Sequence, residues 1–134
     1  MKKILSLLGA ITLIGTSTSS LVACNKNEYT AEELKELKEK NKINTKDKTI
    51  RDNLEWIAHQ EKPFYGLDYK VYFIKYYNNY GDIELGKRTN NNPYTNNAIH
   101  WSNMWISVYR WNLDPSSAPD LILDKDGNIK VNGE

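Results

Sequence analysis

The fold is decided by the stretch Tyr69-Lys70-Val71-Tyr72-Phe73-Ile74-Lys75-Tyr76-Tyr77, which is β-branched or aromatic at every position except its two lysines. Residues of these types favour extended strands, and polar residues bound the stretch on both sides. The turn-forming residues 78–82 follow, so we expect residues 83–86 to return as a short antiparallel strand. Residues 87–97, rich in asparagine, are expected to form a long polar loop.

A second aromatic block, residues 99–111, is predicted to be another strand of the same sheet. Side chains alternate between the two faces of a strand. One face would therefore carry Trp101, Trp105, Tyr109 and Trp111, and the other would carry Met104, Ile106 and Val108. Apolar residues on both faces indicate a central strand. The aromatic face either belongs to the core or binds a ligand such as a sugar, and we favour the core.

The remaining elements are predicted from local signals. Thr30 and Glu33 form the pattern of a capping box, which begins a helix that runs to Lys40. The spacing of Ile50, Leu54 and Ile57 fits one face of a helix, although a strand from Leu54 is an alternative. Residues 121–131 form an Asp-Gly hairpin with apolar arms. Because strands outnumber helices, the predicted class is α+β with a small antiparallel β-rich domain.

Three segments are predicted along the chain. Residues 1–23 are a signal peptide that forms a helix, and residues 24–48 are a lipidated tether and helical stalk. The stalk has only two apolar positions, so we expect it to be a solvated spacer. Residues 41–48 are a polar linker, and residues 49–134 are the aromatic-rich β domain.

The first residues have the layout of a secretory signal. Lys2 and Lys3 are followed by an apolar run over residues 4–14 and by small polar residues over 15–20. The apolar run is too short to cross a bilayer as a helix, which takes about 20 residues. The chain is therefore predicted to be exported.

The sequence Leu21-Val22-Ala23-Cys24 resembles the lipobox of bacterial lipoproteins. The resemblance implies cleavage between Ala23 and Cys24, and attachment of acyl chains such as palmitate through the Cys24 thiol. Cys24 is the only cysteine of the chain, so an intrachain disulfide is excluded. We therefore expect a lipid anchor on Cys24 that holds the protein to the outer face of the cell membrane.

Three further segments resemble a multicopy lipoprotein family of wall-less bacteria of the Spiroplasma type. They are NLEWIAHQEKPF (53–64), SVYRWNLD (107–114) and DKDGNIKVNGE (124–134). Residues 78–97 depart from the pattern of that family, and His59 stands where a proline is expected. The family has no established activity, so the resemblance supports the surface location and implies no reaction.

Several chemistries are disfavoured by the sequence. The net charge of +1 and the scattered arginines do not favour nucleic-acid binding. The two histidines, His59 and His100, lack zinc-site spacing, and no cofactor or metal is expected. Residues 124–128 resemble the start of a calcium loop, but Ile129 occupies the position that requires glycine, which favours the hairpin. We therefore expect the protein not to be an enzyme.

The leading interpretation is a membrane-anchored, non-enzymatic surface or interaction lipoprotein. Its partner would be a host protein, a surface protein or a glycan. The candidate contact residues are the tyrosines near the polar turns, Tyr76, Tyr77, Tyr80 and Tyr94. The alternatives are a small ligand-binding lipoprotein that serves a transporter and, less favoured, a hydrolase.

Overall fold

The structure is a computed structural model and describes residues 28–91 and 102–134. The chain divides into two compact units, Met1–Glu33 and Leu34–Glu134, and the second holds the described strands. It is a small antiparallel β domain with two short helices, which confirms the predicted mixed class at this level. The signal segment, with Ala23 and Cys24, lies outside the described residues.

Two α-helices precede the sheet, α1 (Ala31–Lys40) and α2 (Lys48–Asn53). The predicted capping box is present, because the Thr30 amide donates to Glu33 Oε1 at 2.9 Å and the Glu33 amide donates to Thr30 Oγ1 at 3.1 Å. Asp47 caps α2 by accepting from the Ile50 amide at 3.1 Å. Neither helix is long and apolar enough to cross a bilayer, as judged over the described residues.

Six strands follow in two sheets. They are β1 (Leu54–Ile57), β2 (Val71–Tyr77), β3 (Ile83–Thr89), β4 (Trp105–Trp111), β5 (Leu121–Leu123) and β6 (Ile129–Val131). The larger sheet has the order β1-β4-β2-β3, and β5 pairs with β6. Two 3₁₀ turns, His59–Glu61 and Pro115–Ser117, lie between strands. The central position predicted for the second aromatic block is confirmed for β4.

Two predicted boundaries differ from the structure. A continuous helix over residues 50–57 is wrong, since α2 ends at Asn53 and the strand alternative from Leu54 is correct. The loop predicted over 87–97 begins too early, because residues 87–89 continue β3 in register with β2. Pairing with β2 keeps residues 87–89 in the strand, although their polar composition does not favour one. Residues 92–97 lie outside the described residues.

A β-bulge in β4 overturns part of the predicted face assignment. Lys75 pairs with Ser107, but the next residue, Tyr76, pairs with Trp105, so Ile106 is the extra residue. The bulge moves Trp105 away from the face of Tyr109 and Trp111 and onto the opposite one. Trp101 lies outside the described residues.

The sheet is apolar on both faces, and each face has its own core cluster. One cluster contains Phe73, Tyr109 and Trp111 together with apolar residues of α2 and of the β5–β6 hairpin. The other contains Tyr72 and Val108 together with Ile57, Ile74 and Phe64. Burial of apolar surface at about 25 cal/mol per Å² is the main stabilisation of such a fold. Tyr109 and Trp111 are therefore core residues.

The segment between α1 and α2 is packed rather than free. Ile43 is buried in the core and Thr45 is buried as well. The Tyr109 hydroxyl donates to the carbonyl of Asn41 at 2.6 Å, which fixes the segment to β4. Residues 41–48 therefore lie within the compact unit Leu34–Glu134.

The spacer predicted at α1 is held to the domain by one lysine. α1 has no buried residue, but Lys38 Nζ lies 2.8 Å from Glu55 Oε2 and 2.8 Å from Glu61 Oε2. It also donates to the carbonyl of Trp56 at 2.7 Å. The end of the helix is thus fixed by polar contacts, which apolar patterning does not reveal.

Candidate functional site

The structure separates the tyrosines that we predicted as contact residues. Tyr77 and Tyr80 are exposed at the β2–β3 turn. Tyr76 is partly buried, with its ring beside Gly86 and its hydroxyl donating to Glu84 Oε1 at 2.7 Å. Tyr94 lies outside the described residues. Of the three described tyrosines, Tyr77 and Tyr80 are the exposed ones.

The turn between β2 and β3 is ordered by the side chain of Asn78. Asn78 Oδ1 accepts from the amides of Tyr80 and Asp82 at 2.8 and 2.9 Å. The Asn78 amide donates to the Asp82 carbonyl at 2.8 Å, and Gly81 has a φ of 84°, which a glycine adopts without strain. Tyr80 is therefore presented on a defined turn.

Glu84, at the start of β3, accepts hydrogen bonds from two residues at the base of this turn. One oxygen accepts from the Tyr76 hydroxyl, and the other accepts from Asn78 Nδ2 at 2.9 Å. The hydrogen bonds from Tyr76 and Asn78 lower the pKa of Glu84 below its ordinary value, and the bond to Glu84 raises the pKa of Tyr76. Tyr76 is thus connected to the turn through Glu84.

Four exposed apolar side chains lie at this end of the sheet, and we call them the tyrosine tip. They are Tyr80 (91% exposed), Tyr77 (45%), Ile83 (39%) and Met104 (37%). Tyr77 pairs across the strands with Ile83, and its amide donates to the carbonyl of Met104 at 2.9 Å. Ile83 and Met104 were not predicted, because only the sheet pairing brings them beside the tyrosines.

The other predicted candidates have local roles. His59 is exposed in a 3₁₀ turn, and His100 lies outside the described residues. Asp124 Oδ1 accepts from the amides of Asp126 and Asn128 at 2.8 and 2.9 Å, as expected for a hairpin turn. Within residues 28–91 and 102–134, no group of three or more histidine, cysteine or acidic residues is arranged to hold a metal ion.

The tyrosine tip can supply aromatic and aliphatic surface and two phenolic hydroxyl groups. Such a surface is suited to binding, because tyrosine offers a large contact area and a hydrogen-bonding group at a low cost in side-chain entropy. A comparison of the chain with family models, with curated proteins and with solved structures finds no match. The resemblance to the Spiroplasma-type lipoproteins therefore stays a prediction.

Proposed function

We propose that this chain is a lipid-anchored protein of the outer face of the cell membrane that binds a partner protein through its tyrosine tip. The lipobox sequence at residues 21–24 supports the anchor. Cleavage before Cys24 would leave a short tether ahead of α1, and Lys38 holds the end of that helix to the β domain. No catalytic step is part of the proposal.

Tyr80 is the observation that carries the binding role. Its side chain is 91% exposed, although its backbone is held by Asn78 in an ordered turn. A side chain on a fixed turn loses little backbone freedom on binding, so a larger share of its contact energy becomes affinity. Tyrosine is also one of the residue types that dominate the energy of protein interfaces.

The composition of the tip favours a protein partner over a glycan. Ile83 and Met104 extend the aromatic surface with aliphatic side chains, which fit an apolar pocket. Sugar recognition relies on flat aromatic rings combined with several polar groups. Two polar side chains of the turn, those of Asn78 and Glu84, already bond to each other.

Site-specific photo-crosslinking on intact cells tests the proposal. A benzophenone amino acid replaces Tyr80 in one variant and Tyr65 in the control, since Tyr65 is 63% exposed but lies outside the tip. We expect one defined protein adduct from position 80 and none from position 65. The adduct should disappear when an excess of unmodified protein is added, but not when the added protein carries Tyr77→Ala and Tyr80→Ala.

Equal adducts from both positions would show unspecific contact and contradict the proposal. The absence of adducts from position 80, in protein shown to be on the cell surface, would also contradict it. Tyr65→Ala protein should compete as well as the wild type, because that change leaves the tip intact.

A further inference from the structure

A second feature of the domain is a groove lined by five lysines, which we call the lysine groove. Its lysines come from the end of α1 and the segment after it, from β2 and from β6, and they are Lys40, Lys42, Lys46, Lys75 and Lys130. The groove has a volume of about 830 Å³, which is within the range of small-molecule sites, about 300–1,000 Å³. It contains none of the residues of the tyrosine tip.

The charge of the groove is unbalanced. Two carboxylates, Asp124 and Glu134, also line it, which leaves an excess of three cationic side chains. The whole chain has a net charge of only +1, so the groove concentrates positive charge. One oxygen of Asp124 accepts from two turn amides, and Glu134 Oε2 accepts from Thr45 Oγ1 at 2.7 Å.

Three of the five groove lysines, Lys40, Lys46 and Lys75, form no ion pair within residues 28–91 and 102–134. Lys42 Nζ lies 3.3 Å from Glu39 Oε1 and 3.9 Å from Asp52 Oδ1. The charge of Lys130 acts on Asp124 and helps to lower the pKa of that carboxyl. Lys75 and Lys130 are half-buried and belong to strands, so their positions are restricted. An anion in the groove would therefore meet several lysine charges that no nearby carboxylate neutralises.

The groove also contains apolar surface. Trp56 and Ile106 lie among its lining residues, and Ile106 projects there because the bulge displaces it from the regular alternation of β4. A ring placed against an indole gains stacking energy, while grouped lysines bind phosphate oxygens through short, charged hydrogen bonds. The groove therefore combines the two elements needed for a ring that carries phosphate groups.

From these observations we infer that the lysine groove binds a small phosphorylated ligand, with at least two phosphate groups on the lysines and a flat ring near Trp56. The volume suits a small molecule rather than a nucleic-acid strand, which needs an extended basic surface. The inference goes beyond the proposed function, since it concerns different residues and holds whether or not the tyrosine tip binds a protein.

Calorimetric titration of the full-length chain in detergent with ATP is the test. The variant Lys75→Glu/Lys130→Glu should raise the Kd at least about tenfold, the usual effect of losing one charge-assisted hydrogen bond. The control Lys35→Glu/Lys87→Glu changes the net charge equally at lysines outside the groove, and its Kd should stay within about twofold of the wild-type value. Equal weakening in both variants would overturn the assignment, as would no binding of ATP by the wild type at millimolar concentration.

Three other probes define the ligand class. Adenosine and tripolyphosphate should each bind more weakly than ATP, because each lacks one of the two elements. Glycerol phosphate binding as tightly as ATP would overturn the assignment and indicate a lipid headgroup. A single-stranded oligonucleotide binding more tightly than ATP would overturn it in favour of nucleic acid.

Thermal unfolding checks that the variants are folded. If the double glutamate variant does not fold, Lys75→Gln/Lys130→Gln removes the same charges while keeping similar side-chain length. ATP binding that is unchanged in the glutamine variant would overturn the assignment.

Discussion

Replacement of Glu55 by glutamine tests how the N-terminal helix is held to the sheet. Glu55 Oε1 accepts from Arg110 Nη2 and from Asn112 Nδ2, both at 2.9 Å. Its other oxygen, Oε2, lies 2.8 Å from Lys38 Nζ. The carboxylate thus joins α1, β1 and the end of β4, and Glu55→Gln removes its charge with little change of shape.

The expected loss of stability lies between two limits. Exposed ion pairs contribute about 0.2–1 kcal/mol, and removal of one partner from a fully buried pair costs about 3–5 kcal/mol. The Glu55 side chain is 26% exposed, and Lys38 keeps its contacts with Glu61 and with the Trp56 carbonyl. We therefore expect Glu55→Gln to lower the free energy of unfolding by about 2 kcal/mol at pH 7.

The effect should depend on pH in a defined direction. Burial raises the pKa of Glu55, but the hydrogen bonds from Lys38 and Asn112 and the charges of Lys38 and Arg110 outweigh it, so the pKa lies below its ordinary 4.5. A lowered pKa in the folded state means that the stabilisation is complete above the unfolded pKa and is lost as the pH falls through the folded value. The difference between wild type and variant should therefore shrink below pH 4.5.

Urea denaturation at pH 7 and at pH 3 measures both quantities. Asp52→Asn is the matched control, because Asp52 also bonds to a lysine but is solvent-exposed, and it should change the unfolding free energy little. The reasoning is refuted if Glu55→Gln is as stable as the wild type at pH 7. It is also refuted if the difference is the same at both pH values.

Three further changes probe the core and the turn. Tyr109→Phe removes the hydrogen bond to the Asn41 carbonyl, and urea denaturation should show a free energy of unfolding lower by about 1 kcal/mol. Burial raises the pKa of Tyr109 to about 12. An absorbance titration of the variant should therefore lack one tyrosine that ionises at high pH. Gly81→Ala places a side chain at a φ of 84° and should destabilise the turn by about 1 kcal/mol, so an unchanged midpoint would argue against that turn. Trp111→Phe removes core volume and the indole hydrogen bonds to the Asp114 carbonyl and Ser117 Oγ. The free energy of unfolding should fall by about 2–3 kcal/mol. A fall of less than about 1 kcal/mol would contradict the core position of Trp111.

The elements that could be predicted depend on neighbours in sequence. Thr30 and Glu33 bond across one helical turn, and Asp124 orders a hairpin turn through amides two and four residues away. The strand around Phe73 is encoded by its own β-branched and aromatic residues. Such signals are complete within a few residues, so they can be interpreted without the fold.

The elements that could not be predicted depend on distant partners. The bulge at Ile106 exists only in the pairing of β4 with β2, and it reverses the side on which Trp105 packs. Ile43 looked like one apolar residue in a linker, but the domain core buries it. The lysine groove likewise assembles residues from 40 to 134, so no local pattern predicts it.

The most direct test of the proposed surface location is the intact mass and detergent partitioning of the protein from its native membrane, measured beside a Cys24→Ser variant. The account predicts that the wild type begins at Cys24, carries the mass of acyl chains and enters the detergent phase, whereas the variant carries no acyl mass. Equal masses without acyl chains, with both proteins in the aqueous phase, would contradict the lipid anchor.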